Sequence, residues 1–275
     1  MLRAHPIGIF DSGYGGLTIL RQIRQTLPQY DYIYLGDNAR TPYGTRSYDV
    51  VYEYTLEAVK KLFSMGCELV ILACNTASAK ALRSIQQRDL PLIDPDKRVL
   101  GVIRPCVEEV PSLSKNGHVG VLGTNGTVSS QSYLIELEKI GRGKLVVSQE
   151  ACPMWVPIVE NNEIGTPGAD FFIEKNIRNI MKSDPLIDTL VLGCTHYPLL
   201  TDSIKKYLDG QITIVDQGPI VARKLADYLK RHPEMEARCS MDGSISYYTS
   251  EQASNFNDKA SLFLNEPVNA VKLHL

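Results

Sequence analysis

The chain has no excess of charge, no long apolar run and no close pairing of its cysteines. Each absence removes a class of protein. Its 29 Lys and Arg against 31 Asp and Glu give a formal net charge of −2, so no basic field draws it to nucleic acid or an anionic membrane. No apolar run approaches the ~20 residues that span a bilayer. The first ten residues, Met1–Phe10, carry Arg3, His5 and Pro6 and lack the apolar region of a signal peptide. A cytoplasmic protein is expected. The six cysteines, at 67, 74, 106, 152, 194 and 239, contain no C-x-x-C pair and are expected to be thiols. Cys194 and His196 form one close pair of metal-ligand types, where a structural zinc site shows two. No metal is expected. Neither G-x-G-x-x-G nor a P-loop occurs, and no lysine has a recognisable pyridoxal phosphate setting. The expectation is chemistry without a cofactor.

What is present is an alternation of strand and helix signals over 275 residues. Short runs rich in Val, Ile and Leu predict strands at 7–10, 32–35, 69–73, 99–103, 119–122, 144–147, 189–192 and 212–215. Helical spacing predicts helices over 48–65 (capped by Gly66), 129–140, 170–182, 199–208 and 219–231. The pattern argues for an α/β fold with mainly parallel sheets flanked by helices. The chain also repeats itself. Ile7–Gly13 resembles Val119–Asn125, and Leu100–Ile103 resembles Ile212–Val215 at the same displacement. Two similar, pseudo-symmetric halves are expected.

The two strands that end in cysteine are the chemical core of this reading. Leu69–Thr76 reads LVILACNT and Thr189–His196 reads TLVLGCTH. Open α/β sheets bind ligands at the carboxyl ends of their strands. A cysteine there, at the start of a helix, feels N–H groups that favour thiolate. Beside Cys74, Asn75 and Thr76 can cap the helix or hold a carboxylate. Beside Cys194, Thr195 and His196 add a hydroxyl and an imidazole for proton transfer. A third strand end, Asp11-Ser-Gly-Tyr-Gly-Gly16, is glycine-rich. Its N–H groups suit a carboxylate, and Asp11 suits an ammonium or a nearby thiol. The loop Thr41–Gly44 offers further backbone donors, Thr124 and Thr127 can bind a carboxylate or cap a helix, and Glu160 follows an apolar stretch. Cys67, Cys106 and Cys239 read as structural. Two thiols facing one pocket from opposite sides suit removal of a proton from one face of a carbon and delivery to the other.

The ordered set Phe10-Asp-Ser-Gly-Tyr-Gly-Gly-Leu-Thr18, Gly36-Asp-Asn-Ala39, Pro42-Tyr-Gly44, Ala73-Cys-Asn-Thr-Ala77, Gly101-Val-Ile103, Cys152-Pro153 with Val159-Glu160, and Leu192-Gly-Cys-Thr-His-Tyr-Pro198 resembles the bacterial glutamate racemase family. Tyr247–Ser250 also fits. The resemblance implies cofactor-independent interconversion of L- and D-glutamate, supplying D-glutamate for peptidoglycan. It implies Cys74 acting on the D-enantiomer and Cys194 on the L-enantiomer, with Asp11, His196 and Glu160 as supporting acid–base groups. Substrate contacts carry over to Asp11, Ser12, Tyr43, Gly44, Asn75, Thr76, Thr195 and His196. It implies two α/β domains with the site in the cleft between them: a discontinuous first domain, 1–98 and 213–275, and a second, 99–212. A homodimer is expected. The segment before the first strand is short, which sets the chain apart from relatives whose extension there goes with activation by a cell-wall precursor. Arg104-Pro-Cys106 departs from the family's usual Glu-Pro and is expected to affect packing or regulation. An aspartate racemase of the same superfamily, a thiol hydrolase or acyltransferase using Cys194 and His196, and a catalytically silent amino-acid-binding protein are the competing expectations.

Overall fold

A computed structural model describes residues 5–275; residues 1–4, where the expected first domain and the Met1–Phe10 segment begin, lie outside the described residues. The described residues form ten strands: β1 (Ile7–Asp11), β2 (Tyr32–Gly36), β3 (Leu69–Leu72), β4 (Arg98–Gly101), β5 (His118–Gly123), β6 (Val146–Ala151), β7 (Thr189–Gly193), β8 (Thr213–Val215), β9 (Ile245–Thr249) and β10 (Ala270–Lys272). They make two sheets, a six-stranded one in the order β10-β9-β2-β1-β3-β4 and a four-stranded one in the order β6-β5-β7-β8. Every pairing is parallel. The central strands are mainly apolar because helices cover both faces, and β1, β3 and β7 are buried at every residue.

The repeat predicted from sequence is a repeat of topology. The order β2-β1-β3-β4 of one sheet matches β6-β5-β7-β8 of the other. Thus β1 corresponds to β5, β4 to β8, and the two cysteine-ending strands β3 and β7 to each other. The expected boundaries at 98/99 and 212/213 fall at strands and need correction. β4 bonds to β3 in the larger sheet, and β8 bonds to β7 in the smaller. We place the crossings after Gly101 and after Val215.

Helices follow their end signals. Ser47 caps the helix Tyr48–Ser64 by accepting from the Val50 N–H at 3.4 Å, and Gly66, at φ +99°, ends it. Thr166 caps the helix Pro167–Ser183. The helix expected at 129–140 is two, Asn125–Ser129 and Ser132–Gly141, broken where Gln131 turns left-handed at φ 54°. The one expected at 199–208 is a 3₁₀ turn, Tyr197–Leu200, followed by the short helix Thr201–Lys205. The strand expected at 144–147 runs later, at 146–151, as an edge strand with Gln149 and Glu150. β9, the helix Ala253–Leu264 and β10 extend the larger sheet beyond the repeat.

Candidate active site

The carboxyl ends of both sheets meet around one cavity of about 260 Å³. The first half contributes Asp11, Ser12, the loop Thr41–Thr45 and Cys74–Thr76; the second contributes Thr124, Asn125, Cys194–His196 and the face of the helix Trp155–Glu160 that carries Val156, Pro157 and Glu160. Both cysteines line it.

Cys74 lies two residues beyond β3 and caps the helix Asn75–Lys80. Its Sγ accepts the Ala77 N–H at 3.4 Å and lies 3.3 Å from Ser12 Oγ. Those partners favour thiolate, as expected from sequence, but they lose to burial. Desolvation first, and then the Asp11 carboxylate, push the Cys74 thiol up to about 12, while Ser12 and the Ala77 N–H pull it down. Burial thus outweighs the pull toward thiolate that the helix N-terminus provides at this position.

Cys194 has a different partner. Its Sγ lies 3.8 Å from His196 Nδ1, and His196 Nε2 lies 3.0 Å from Glu160 Oε1. Burial works against a charged His196 ring, but hydrogen bonding to Cys194 and Glu160 outweighs it and raises the imidazole to about 10. His196 is therefore an imidazolium at neutral pH. Its ring meets Phe263 edge-on, with centroids 5.8 Å apart, so the C-terminal helix backs it. Asp11 sits at the end of β1. Burial raises its carboxyl, against the nearby His196 charge and the N–H groups of Gly16 and Gly13.

The glycine-rich turn serves a purpose other than the expected one. A Cβ on Gly15 would strike Thr195 Oγ1 and the His196 ring, so the second half fills that space instead of a ligand. A Cβ on Gly44 would come within 2.9 Å of Thr124 Cβ. These glycines let the two halves approach.

The remaining expected residues sort by what their side chains touch. Ser12, Thr76, Thr124 and Thr195, all hydroxyl-bearing, line the cavity. Thr76 Oγ1 lies 3.0 Å from Thr124 Oγ1 across the two halves, and Thr124 also caps the helix Asn125–Ser129. Thr127 is fully buried behind them and does not line the cavity; its hydroxyl, 3.1 Å from that of Thr124, supports the pair. Tyr43 lines the cavity but points its hydroxyl away, donating to Asp37 Oδ2 at 2.5 Å. Asp37 also takes bonds from Arg40 and Ser250, and this buried carboxylate anchors the loop that presents Gly44. Thr45, Asn125, Val156, Pro157 and Asn161 also line the cavity and were not expected. Only the spacing of Val156, Pro157 and Glu160 along one helical turn hinted at any of them.

Residues 16–225 match the Asp/Glu/hydantoin racemase family model. The chain is 38% identical to a glutamate racemase from Persephonella marina over 270 residues, covering 98% of this chain and 97% of that one. A glutamate racemase structure from Bacillus anthracis superposes with a TM-score of 0.89 at 33% identity, covering 98% of both chains. One from Francisella tularensis, in complex with D-glutamate, gives 0.86 at 29% identity, covering 98% of this chain and 97% of that one.

Proposed function

The chain belongs to the Asp/Glu/hydantoin racemase family, and from that premise we propose that it interconverts L- and D-glutamate by passing the α-proton between Cys74 and Cys194 without a cofactor. One observation carries the reading: two thiols at equivalent strand ends line one cavity from opposite halves, each with its own proton partners. In the L-to-D direction Cys194, as thiolate, takes the α-proton. The C–H electron pair passes into the α-carboxylate. Cys74, as thiol, then gives its proton to the opposite face and is left as thiolate. The reverse direction exchanges the roles. The resting thiol at Cys74 and the imidazolium at His196 support this starting state. The Ser12, Thr76, Thr124 and Thr195 hydroxyls are donors for the substrate carboxylates, whose developing charge has to be stabilised.

Glutamate rather than aspartate is supported by relatives of that name matching nearly the whole chain. Supply of D-glutamate to peptidoglycan, a cytoplasmic location and a homodimer complete the reading. Six cysteines, all free, suit a reducing compartment.

The Cys194–His196–Glu160 line also has the order of a nucleophile, base and orienting carboxylate, which favours a thiol hydrolase as the second reading. Separate Cys74→Ser and Cys194→Ser substitutions distinguish the two. Each is expected to lower racemisation about 10³-fold. Full racemase activity in Cys74→Ser contradicts the two-thiol mechanism. Ester hydrolysis that needs Cys194 but not Cys74 supports the hydrolase.

A further inference from the structure

Asn75 follows the catalytic Cys74, and it stands between two surroundings. It lines the cavity, and it also belongs to a buried cluster behind it. Gln217 opens the helix Gln217–Arg231, just after the chain leaves β8 to cross back to the larger sheet. Tyr133 lies on the helix Ser132–Gly141 of the second half. Asn75, Gln217 and Tyr133 are all nearly or fully buried.

Their hydrogens can be counted. Asn75 Nδ2 donates to Gln217 Oε1 at 2.6 Å, and Gln217 Nε2 donates back to Asn75 Oδ1 at 3.2 Å. The Tyr133 hydroxyl donates to Asn75 Oδ1 at 2.8 Å and accepts the second N–H of Gln217 Nε2. Gln217 has thus used both donors, Tyr133 its one, and the Asn75 oxygen both lone pairs. One N–H of Asn75 is left, with no acceptor among the described residues. Flipping the Asn75 amide alone would set its Nδ2 against the Gln217 N–H, donor against donor; only a concerted flip of both amides keeps every bond. The orientation of Asn75 is therefore tied to that of Gln217, and in the arrangement described Asn75 keeps one N–H free.

We propose that Gln217 and Tyr133 are positioning residues that lock the Asn75 amide so that its single free N–H is presented to a carboxylate oxygen of the substrate. This rests on the reading of the cavity as the amino-acid site. The lock draws on both halves and on the second crossing, so it forms only when they are docked. It is a device for binding: the free N–H is set before the substrate arrives, and no ordering is left to the complex.

The test is a cycle of Gln217→Leu, Asn75→Ala and the double variant, with KM and kcat measured in both directions beside thermal midpoints. Gln217→Leu is expected to raise KM about tenfold and leave kcat within about twofold. Asn75→Ala raises KM at least as much, and the double variant matches Asn75→Ala. A structural role for Gln217 would instead add its effect to that of Asn75→Ala, and that result overturns the proposal, as does an unchanged KM in Gln217→Leu. Tyr133→Phe removes one hydroxyl and is expected to raise KM about threefold, which covers the case in which Gln217→Leu does not fold. Wild-type turnover of glutamate is checked first. Its absence overturns the function, and the lock is then read from ¹⁵N side-chain spectra without substrate. One slowly exchanging Asn75 Nδ2 proton in wild type, lost in Tyr133→Phe or Gln217→Leu, supports the lock; equal exchange in all overturns it.

Discussion

At Cys74 two contacts favour the charged sulfur, yet the neutral form wins, because burial removes more solvation than a hydroxyl and one N–H restore. At His196 the balance reverses: two directed partners, Cys194 and Glu160, exceed the same burial cost. Opposite outcomes on the two walls give a site that is asymmetric in charge on a symmetric frame. The His196 shift has a consequence for stability. Its folded value of about 10 lies above the ordinary 6.5. The native state then holds more protons than the unfolded state between these values. The contribution is fully present below about pH 6.5 and is lost as pH rises through about 10. Thermal melts of wild type and His196→Gln between pH 6.5 and 9.5 are expected to show a gap in Tm that narrows as pH rises. A gap that widens contradicts an imidazolium at His196. The cysteines, Asp11 and His196 were legible because polar residues ending apolar strands have few structural duties. The destination of the Tyr43 hydroxyl was not, since nothing local to Pro42-Tyr43-Gly44 announces that it turns back to Asp37.

Among the elements, the turn Gly13–Gly16 and the helix Ala253–Leu264 each meet the second half at His196, through Gly15 and through Phe263. Replacing Gly15 by Ala puts a methyl group where Thr195 and His196 already stand. Overpacking of this kind costs about 1–3 kcal/mol. It also moves the histidine beside Cys194, so Gly15→Ala is expected to lose both Tm and turnover. Loss of neither in thermal melts and steady-state assays would show that the space is not filled. Phe263 is 6% exposed, within the aromatic group that includes Tyr14 and His196. Phe263→Ala is expected to lower stability by about 3–5 kcal/mol, measured by urea unfolding. The central parallel strands could be read from sequence because burial on both faces leaves continuous apolar runs. β9 could not, since its Ile-Ser-Tyr-Tyr-Thr run buries only Tyr247 and Thr249. The helix Ala253–Leu264 buries Phe256, Ala260, Phe263 and Leu264 at helical spacing, but intervening Ser, Asn and Asp residues mask the pattern, as they also bond to backbone in turns.

The whole molecule is a four-strand α/β unit used twice, with one added edge. Similarity of short segments was enough to pair β1 with β5 and β4 with β8, because equivalent strands keep equivalent surroundings. The boundaries were harder, since β4 and β8 each lie next to a crossing and sequence does not say which sheet a terminal strand joins. Both sulfurs stand at the same point of the repeat, and their environments differ only through what the rest of the chain brings to each. The account requires two groups, each dedicated to one face of the α-carbon. This is tested most directly by racemisation in deuterated water, started from pure L-glutamate and separately from pure D-glutamate, with deuterium at the α-carbon followed in both enantiomers at early conversion. Two bases predict that the product carries deuterium while the remaining substrate keeps its hydrogen, in both directions. Deuterium appearing equally in substrate and product from the start would mean that one base serves both faces, and the two-thiol account would be wrong.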